Sequence, residues 1–412
     1  MRILQINKFF YRRGGADIHM LDLCRLLENH GHEIIHFSTL HPANEPSPFS
    51  RFFIPQIDMR APRGLLESLK TFVHILYSTE AAKKLEQLIR ETKPDIAHLH
   101  NIYHHLSPSL LPVLKKHKIP VVLTLHDYKL ICPNYKLFTQ GAICERCRGH
   151  KFFEAVKHRC IFNQKMPSLA AALESYLHHW WGIYQKNIDI FISPSQFLKN
   201  KFTEFGWSKE KIEVLPNFLP PQKIPPALEQ KDSGYLLYFG RLSEEKGLMV
   251  LLKAMEILSE IPLRLVGGGP LANQIFNTIL LKQLNNVKMA GYKTGEDLEK
   301  EIAGARLVVL PSAWYENCPV SLLEAMARGK TVLASRLGGI LEIVQDGVTG
   351  LLFQPGDSLD LAEKIKTLWT DSPKIQALGE AAKKQVETEN DEEKYYQKLM
   401  EIYQKISQRT VP

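Results

Sequence analysis

Residues 307–334 read LVVLPSAWYENCPVSLLEAMARGKTVLA and decide the fold class. The apolar runs at 307–310 and 331–334 have the length of strands, and the residues between them form a loop followed by a helical pattern that stops at Gly329. Short apolar strands alternating with helices are typical of a parallel sheet that helices cover on both faces. The sequence therefore predicts an α/β fold.

The same alternation runs through the whole chain. Comparable apolar runs occur at 3–6, 34–37, 95–99, 121–125 and 189–192, and again at 235–239 and 263–266. Between these groups, residues 218–234 contain four prolines and no periodicity, which indicates a linker. Because 412 residues are too many for one core, two doubly wound domains are predicted, at 1–217 and 235–390. A last helix, 391–412, is expected to pack back on the first domain.

The composition indicates a globular enzyme with a basic first half. Hydrophobic residues make up 44% and charged residues 23%, and no apolar run approaches the ~18 residues of a membrane span. No secretion signal is apparent, so a cytoplasmic location is expected. Residues 1–200 hold 26 Lys and Arg against 16 Asp and Glu, whereas 201–412 hold 26 against 28. This imbalance favours an anionic partner, although a solvated basic surface is the alternative.

Cationic residues and a glycine-rich turn follow the predicted strands of the second half. Gly240-Arg241 and Lys246 follow the run at 235–239, and the turn that contains Gly268 follows 263–266. Ligands of such sheets bind at the carboxyl ends of the strands. Fixed cations there stabilise a diphosphate leaving group more in the transition state than in the ground state. Two solvated basic residues and a plain tight turn are the alternatives.

Two carboxylates flank the helix in the opening stretch. Glu316 precedes the helix, Pro319 suits its first turn with Asn317 or Cys318 as the cap, and Glu324 lies more than a turn inside. Both carboxylates can accept hydrogen bonds from sugar hydroxyls. Backbone N–H groups from Cys318 to Ser321, including Val320, can face a phosphate through the helix dipole.

In these features the chain resembles the retaining glycosyltransferases of family 4, the glycosyl transferases group 1. The shared elements are Gly240-Arg241…Lys246-Gly247, the glycine-rich turn, Glu316 and Glu324 with seven residues between them, and Gly338-Gly339 further on. The resemblance covers essentially the whole chain. It implies a GT-B architecture, in which two Rossmann-like domains face each other across a cleft.

The resemblance also implies roles for individual residues. Arg241 and Lys246 would hold the donor diphosphate, Glu324 the nucleotide ribose, and Glu316 the hydroxyls of the transferred sugar. The donor-binding set would further include Gly14, Gly15, Gly268, Asn317, Cys318, Pro319 and Val320. His126 would lie near the reacting sugar, although a satisfied polar residue at a strand end is the alternative.

The implied chemistry is hexosyl transfer with retention of anomeric configuration. The departing phosphate oxygen would take the acceptor proton, so the reaction needs no separate protein base. The chain has no Asp-x-Asp pair, which disfavours a metal-dependent diphosphate site, and the cations would replace Mg²⁺. No catalytic cofactor is expected.

Four cysteines lie in a basic segment predicted as an insertion at 128–165. Cys132, Cys144, Cys147 and Cys160 include a Cys-x2-Cys knuckle, and four thiolates at such spacing predict a structural zinc ion. A disulfide pair or unlinked thiols are the alternatives. His98, His100, His104 and His105 form a further cluster near a strand end, with acceptor contact or metal binding as its potential roles.

Residues 52–78 combine an apolar helical stripe with basic neighbours. Leu65, Leu69, Phe72 and Leu76 recur at helical spacing, and Arg60, Arg63 and Lys70 flank them. This pattern is typical of peripheral contact with an anionic membrane, and core packing is the alternative. The expected function is sugar transfer to a glycan or lipid-linked acceptor in cell-surface polysaccharide or lipopolysaccharide synthesis. A GT-B-like nucleotide-sugar epimerase or phosphorylase, or a zinc-containing nucleic-acid-binding protein, is the alternative; nucleic acid is not the expected partner.

Overall fold

A computed structural model describes residues 1–58, 64–221 and 233–409. The predicted linker prolines Pro225 and Pro226, the flanking arginines Arg60 and Arg63, and residues 410–412 lie outside these ranges. The chain divides into two compact units. The first comprises residues 1–136, 145–216 and 395–412, and the second comprises 137–144 and 217–394.

The strands follow the alternating pattern that the apolar runs predict. In chain order they are β1 (Arg2–Ile6), β2 (Glu33–Phe37), β3 (Thr39–Leu40), β4 (Ile54–Pro55), β5 (Ile96–Leu99), β6 (Val121–Thr124), β7 (Phe138–Thr139), β8 (Ala142–Ile143), β9 (Ile190–Ser193), β10 (Ile212–Val214), β11 (Tyr235–Phe239), β12 (Leu263–Val266), β13 (Val287–Gly291), β14 (Ala305–Leu310), β15 (Val332–Ser335) and β16 (Gly350–Phe353). Most strands of the two large sheets are buried along their length because helices cover both faces.

The helices lie between the strands and at the end of the chain. They are α1 (Gly15–Asn29), α2 (Leu65–Leu76), α3 (Thr79–Thr92), α4 (Leu110–Lys116), α5 (Phe153–Lys157), α6 (Lys165–Trp181), α7 (Ile183–Asn187), α8 (Gln196–Glu204), α9 (Leu248–Ile257), α10 (Ala272–Leu281), α11 (Gly295–Gly304), α12 (Val320–Ala327), α13 (Ile340–Ile343), α14 (Ser358–Trp369), α15 (Ser372–Glu389) and α16 (Glu392–Arg409). In the ranges that the structure describes, no helix is both long and apolar enough to span a bilayer.

Each unit contains a six-stranded parallel sheet. The strand order is β10-β9-β6-β5-β1-β2 in the first and β13-β12-β11-β14-β15-β16 in the second. In each sheet the direction of winding reverses beside the first strand of the unit, between β1 and β5 and between β11 and β14. The predicted α/β class with two Rossmann-like, doubly wound domains is confirmed. Ligands of this fold bind beyond the carboxyl ends of the strands at these reversals.

The predicted insertion at 128–165 contains little regular structure. It holds the antiparallel hairpin β7–β8 and the short helix α5, and its end overlaps the start of α6. The hairpin belongs to the second unit, whereas α5 packs against α6 in the first.

Candidate active site

The reversal point of the second sheet brings two loops of the predicted donor site together. One loop follows β11 and leads into α9, and the other follows β14 and leads into α12. The Ala313 N–H of the second loop donates to the Glu245 carbonyl of the first at 2.9 Å. Gly247 makes this contact possible, because a Cβ atom at that position would lie 1.8 Å from the Pro311 carbonyl oxygen.

Glu316 and Lys246 meet directly between these loops. The Glu316 side chain is buried, with the residue 4% exposed, and its Oε1 accepts from Lys246 Nζ at 2.6 Å and from Ser312 Oγ at 2.5 Å. A buried carboxylate needs such partners because it has lost its hydration. An ammonium group has three N–H donors, so Lys246 can bind Glu316 and an anionic ligand at the same time.

Trp314 lies against this pair and was not anticipated from the sequence. Lys246 Nζ lies 5.5 Å from the centroid of the Trp314 ring. Within the described ranges the indole Nε1 is buried and has no hydrogen-bond partner. A buried donor of this kind is normally satisfied, so the site can still accept a polar ligand atom here.

The remaining predicted donor-site residues of the second unit lie on the same two loops and on α12. Arg241 is exposed, and its carbonyl accepts from Tyr238 Oη at 2.7 Å. Glu324 is half-buried inside α12, and Arg328 Nη1 donates to its backbone carbonyl. Burial raises the pKa of Cys318 to about 12, so its thiol stays protonated at neutral pH.

The predicted cap of α12 is wrong. The helix begins at Val320 with Pro319 as the N-cap residue, and no side chain caps it. Asn317 and Cys318 therefore lie outside the helix in the preceding loop. Pro319 has a φ of −69° just before the first helical turn. Because proline has no backbone N–H, it leaves no donor without a partner at this position.

Gly338 and Gly339 support the backbone of Glu316. The Gly339 N–H donates to the Glu316 carbonyl at 2.7 Å, and a Cβ atom on Gly339 would lie 1.8 Å from the Asn317 carbonyl oxygen. The glycine pair thus allows the start of α13 to approach the loop that carries Glu316. Sequence reasoning named this pair as a family element without assigning it this contact.

The turn at Gly267–Gly269 also packs against protein. The Gly268 carbonyl accepts from the Leu242 N–H at 3.0 Å, and the Gly267 N–H donates to the Gly291 carbonyl at 2.8 Å. These contacts fit the plain alternative of a tight turn. They place Gly268 beside the loop that carries Arg241.

In the first unit, His126 heads a buried chain of hydrogen bonds. His126 Nε2 lies 2.8 Å from His100 Nδ1, and His100 Nε2 lies 3.0 Å from Gln5 Oε1. Because an amide oxygen only accepts, His100 must carry its proton on Nε2, and neutral His126 must then donate from its own Nε2.

Burial keeps the histidines of this chain neutral. The pKa of His100 and of His126 lies well below the ordinary value, and desolvation by burial is the largest cause. The pKa of His98 falls to about 3 for the same reason. His98 is hydrogen-bonded to Thr124 Oγ1 at 2.7 Å and to Tyr403 Oη of α16 at 2.6 Å.

The predicted histidine cluster divides into separate environments. His98 and His100 stack with ring centroids 4.6 Å apart, whereas His104 Nε2 lies 3.7 Å from the buried carboxylate of Glu174. His105 packs edge-on against the Phe9 ring at 5.4 Å. Their grouping in sequence therefore does not produce one four-histidine centre.

The loops after β1 and β6 contain charged residues that sequence reasoning missed. Burial lowers the pKa of Lys8, and the charges of Asp127 and Asp17 oppose that shift. Burial raises the pKa of Asp127, which follows His126 directly. Gly14 is the N-cap of α1, which starts at Gly15. The position of Lys8 and Asp127 just after strand ends was the signal that could have identified them.

The structure does not support the predicted zinc site. Within residues 1–58, 64–221 and 233–409, no group of three or more His, Cys, Asp or Glu side chains is arranged to hold a metal ion. The boundary between the two units falls inside this segment, with Cys144 assigned to the second unit and Cys132, Cys147 and Cys160 to the first. Cys132 Sγ donates to Asn134 Oδ1 at 3.0 Å, and Cys147 packs in a small apolar cluster.

Known proteins with the same fold and sequence pattern are glycosyltransferases and related enzymes. The amylovoran biosynthesis glycosyltransferase AmsK of Erwinia amylovora is 28% identical over 281 residues, which are 65% of this chain and 68% of AmsK. Sucrose-phosphate synthase from Thermosynechococcus elongatus matches with a TM-score of 0.72 at 18% identity over 98% of both chains. Anabaena Alr3699/HepE in complex with UDP and glucose matches with a TM-score of 0.63 at 21% identity, over 97% of this chain and 98% of that one. These structural matches show the GT-B fold.

Family models cover both halves of the chain. The model described as Glycosyl transferases group 1 matches residues 221–385. The model described as Glycosyltransferase Family 4 matches residues 13–223. The predicted resemblance to this family is therefore confirmed. The chain belongs to Glycosyltransferase Family 4.

Proposed function

We propose that the protein is a retaining hexosyltransferase that uses a nucleotide-diphosphate sugar and a glycan or lipid-linked acceptor. The observation that carries this proposal is the buried contact between Lys246 and Glu316 at the reversal point of the second sheet. It joins a cation suited to a diphosphate and a carboxylate suited to sugar hydroxyls at one place. The HepE complex with UDP and glucose supports a nucleotide-sugar donor.

The charges of the pair explain how a diphosphate and a carboxylate can share the site. Alone, the Glu316 carboxylate would repel the phosphates, but Lys246 neutralises it through Oε1. The two remaining ammonium N–H groups then face the leaving diphosphate, and exposed Arg241 supplies a second cation. We further propose that Glu324 binds the ribose and that the loop 317–320 contacts the sugar and phosphate.

The proposed reaction proceeds on one face of the sugar. The bond from the anomeric carbon to the diphosphate oxygen breaks, and a bond from that carbon to the acceptor oxygen forms on the same face. The acceptor hydroxyl gives its proton to the departing phosphate oxygen. Lys246 and Arg241 stabilise the negative charge that develops on the diphosphate, without a metal ion. His126 lies near the reacting sugar.

We also propose a place for the reaction. The name of AmsK connects that relative to amylovoran biosynthesis, which supports assembly of a surface polysaccharide or lipopolysaccharide. Peripheral attachment to the inner face of the cytoplasmic membrane suits a lipid-linked acceptor. The nucleic-acid alternative depended on a zinc knuckle, which the structure does not support.

Donor binding tests the proposal directly. Uridine, guanosine, adenosine and thymidine diphosphate sugars are compared for thermal stabilisation and slow hydrolysis. A nucleotide present at ~100 times its Kd adds about 2.7 kcal/mol to the free energy of unfolding, and the midpoint should rise by about 5 °C or more. The matching nucleoside should give a much smaller shift. No shift with any of the nucleotide sugars contradicts the proposal.

The stereochemistry is tested on the product. Proton NMR of the first-formed linkage should show the anomeric configuration of the donor. An inverted linkage contradicts the retaining mechanism while leaving the donor assignment intact.

A further inference from the structure

A stripe of large apolar side chains runs along the exposed side of α6. Its members recur at intervals of three or four residues, so they share one helix face; they are Met166, Leu169, Leu173, Tyr176 and Trp180. Met166 is 72% exposed and Trp180 is 79% exposed. Side chains of this size are normally buried, and a contiguous exposed set indicates an interaction surface.

Helix α2, which packs against α6, carries a second stripe. Leu66, Leu69 and Val73 are exposed at the same spacing, with Leu66 at 77%. The two helices pack against each other, and His178 Nε2 of α6 bonds the Leu76 carbonyl at the end of α2 at 3.1 Å. We call these eight side chains the apolar face. The sequence predicted a stripe of Leu65, Leu69, Phe72 and Leu76; in the structure Phe72 and Leu76 are half-buried.

The charges on and before α6 are mostly positive, and α2 carries one charge of each sign, Glu67 and Lys70. Residues 145–181 contain six Lys and Arg against three carboxylates. Each carboxylate has a cationic or histidine partner: Glu174 is buried against Lys129 at 2.8 Å, Glu145 pairs with Lys201 at 3.0 Å, and Glu154 lies 3.3 Å from His158. By contrast Lys157, Arg159 and Lys165 are exposed near the start of α6.

We propose that the apolar face docks on an anionic lipid bilayer. Tyr176 and Trp180 are residue types that favour the level of the lipid headgroups, and exposed lysines and arginines are attracted to anionic lipids. A second copy of the chain is disfavoured as the occupant, because pairing two such faces would bring like charges together. This inference rests on the proposed function, since a lipid-linked acceptor gives the docking its purpose.

Vesicle binding by the full chain is the test. Sedimentation with vesicles of phosphatidylglycerol and phosphatidylcholine should carry the wild type down, and pure phosphatidylcholine should carry down much less. The variant Leu173→Ser with Trp180→Ser should partition at least about tenfold more weakly. Leu281→Ser is the matched control, because Leu281 is 83% exposed in the second unit; it should bind as the wild type does.

Three outcomes overturn the docking proposal. These are absence of vesicle binding, equal binding to neutral vesicles, and a dimer in vesicle-free solution that the double variant dissociates. Hydrolysis of the nucleotide sugar without vesicles is measured in parallel and should be equal in the wild type and the double variant. If the wild type does not hydrolyse the nucleotide sugar, the proposed function is refuted. The vesicle result addresses the apolar face alone.

Discussion

At the scale of single residues, the proposed function depends on the contact between Glu316 and Lys246. The sequence predicted both residues for the donor site from their positions after strand ends. It did not predict that they bond to each other, because they are 70 positions apart and the paths of two irregular loops set their distance. Trp314 was missed for the same reason: a tryptophan in a loop has no periodicity that marks it as part of a site.

Glu316→Gln should remove most of the activity while keeping the fold. The amide preserves the shape of the side chain but no longer balances Lys246 or accepts strongly from sugar hydroxyls. We expect kcat to fall by about 100-fold or more, the usual loss for a group that stabilises the transition state. Steady-state kinetics measure this effect, with exposed Glu363→Gln as the control. Wild-type kcat in Glu316→Gln would remove Glu316 from the site.

The buried histidines should make the first unit sensitive to acid. The pKa of His98 is lower in the folded state than the ordinary value of 6.5, so its contribution is present above pH 6.5 and is lost as the pH falls. Below pH 6.5, each such histidine lowers the free energy of unfolding by up to about 1.4 kcal/mol for every unit by which the pH falls. In urea unfolding between pH 6 and pH 5, His98→Asn should therefore show a shallower loss than the wild type.

His179→Asn is the control for this measurement, because His179 is exposed on α6. It should follow the wild-type dependence on pH. Identical slopes for all three proteins would show that burial of His98 does not govern acid sensitivity.

At the scale of elements, the strands of both large sheets were predictable and the details of the loops were not. A strand that is buried on both faces is a continuous apolar run in the sequence. The runs at 235–239 and 263–266 therefore predicted two strands correctly. The start of α12 was misjudged because Asn317, in the preceding loop, has a side chain that commonly caps helices. The hairpin β7–β8 has strands of two residues each, too short for any period to appear.

Gly339→Ala tests the element that supports Glu316. The new methyl group would meet the Asn317 carbonyl oxygen at 1.8 Å, so α13 and the loop must separate. We expect destabilisation on the order of 1–3 kcal/mol and a kcat lower by about tenfold or more, because a displacement of the order of 1 Å is enough to disturb catalysis. Denaturant unfolding and kinetics measure both effects.

Gly356→Ala is the matched control. Gly356 has a φ of +81° and open space around its Cβ position, so it reports backbone strain without a collision and should leave kcat unchanged. If Gly339→Ala keeps wild-type kcat, the support of Glu316 by Gly339 is refuted.

At the scale of the whole molecule, the alternation of strands and helices was enough to predict two doubly wound domains. The strand orders follow from pairing in space and could not be read from single runs. The described residues do not support the zinc prediction, which depended on the spacing of the thiols alone. The end of the chain is also part of the first unit, to which residues 395–412 belong.

Removal of residues 395–412 should destabilise the first unit. The deletion takes away Tyr395, Leu399, Tyr403 and Ile406, all buried, and large buried side chains contribute about 2–5 kcal/mol each. That sum is comparable with the whole stability of a domain, about 5–15 kcal/mol. Thermal unfolding and limited proteolysis should show a first unit that is open to cleavage. A chain ending at residue 409 should behave as the full chain does, and resistance of the shorter chain would contradict the assignment of α16.

The most direct test of the central claim is a crystal structure of the protein with the nucleoside diphosphate that stabilises it most. We expect the diphosphate to contact Lys246 Nζ and the Arg241 guanidinium and the ribose hydroxyls to contact Glu324. Lys246 should keep its contact with Glu316. A diphosphate bound elsewhere, or bound here without touching Lys246 and Arg241, would contradict the central claim.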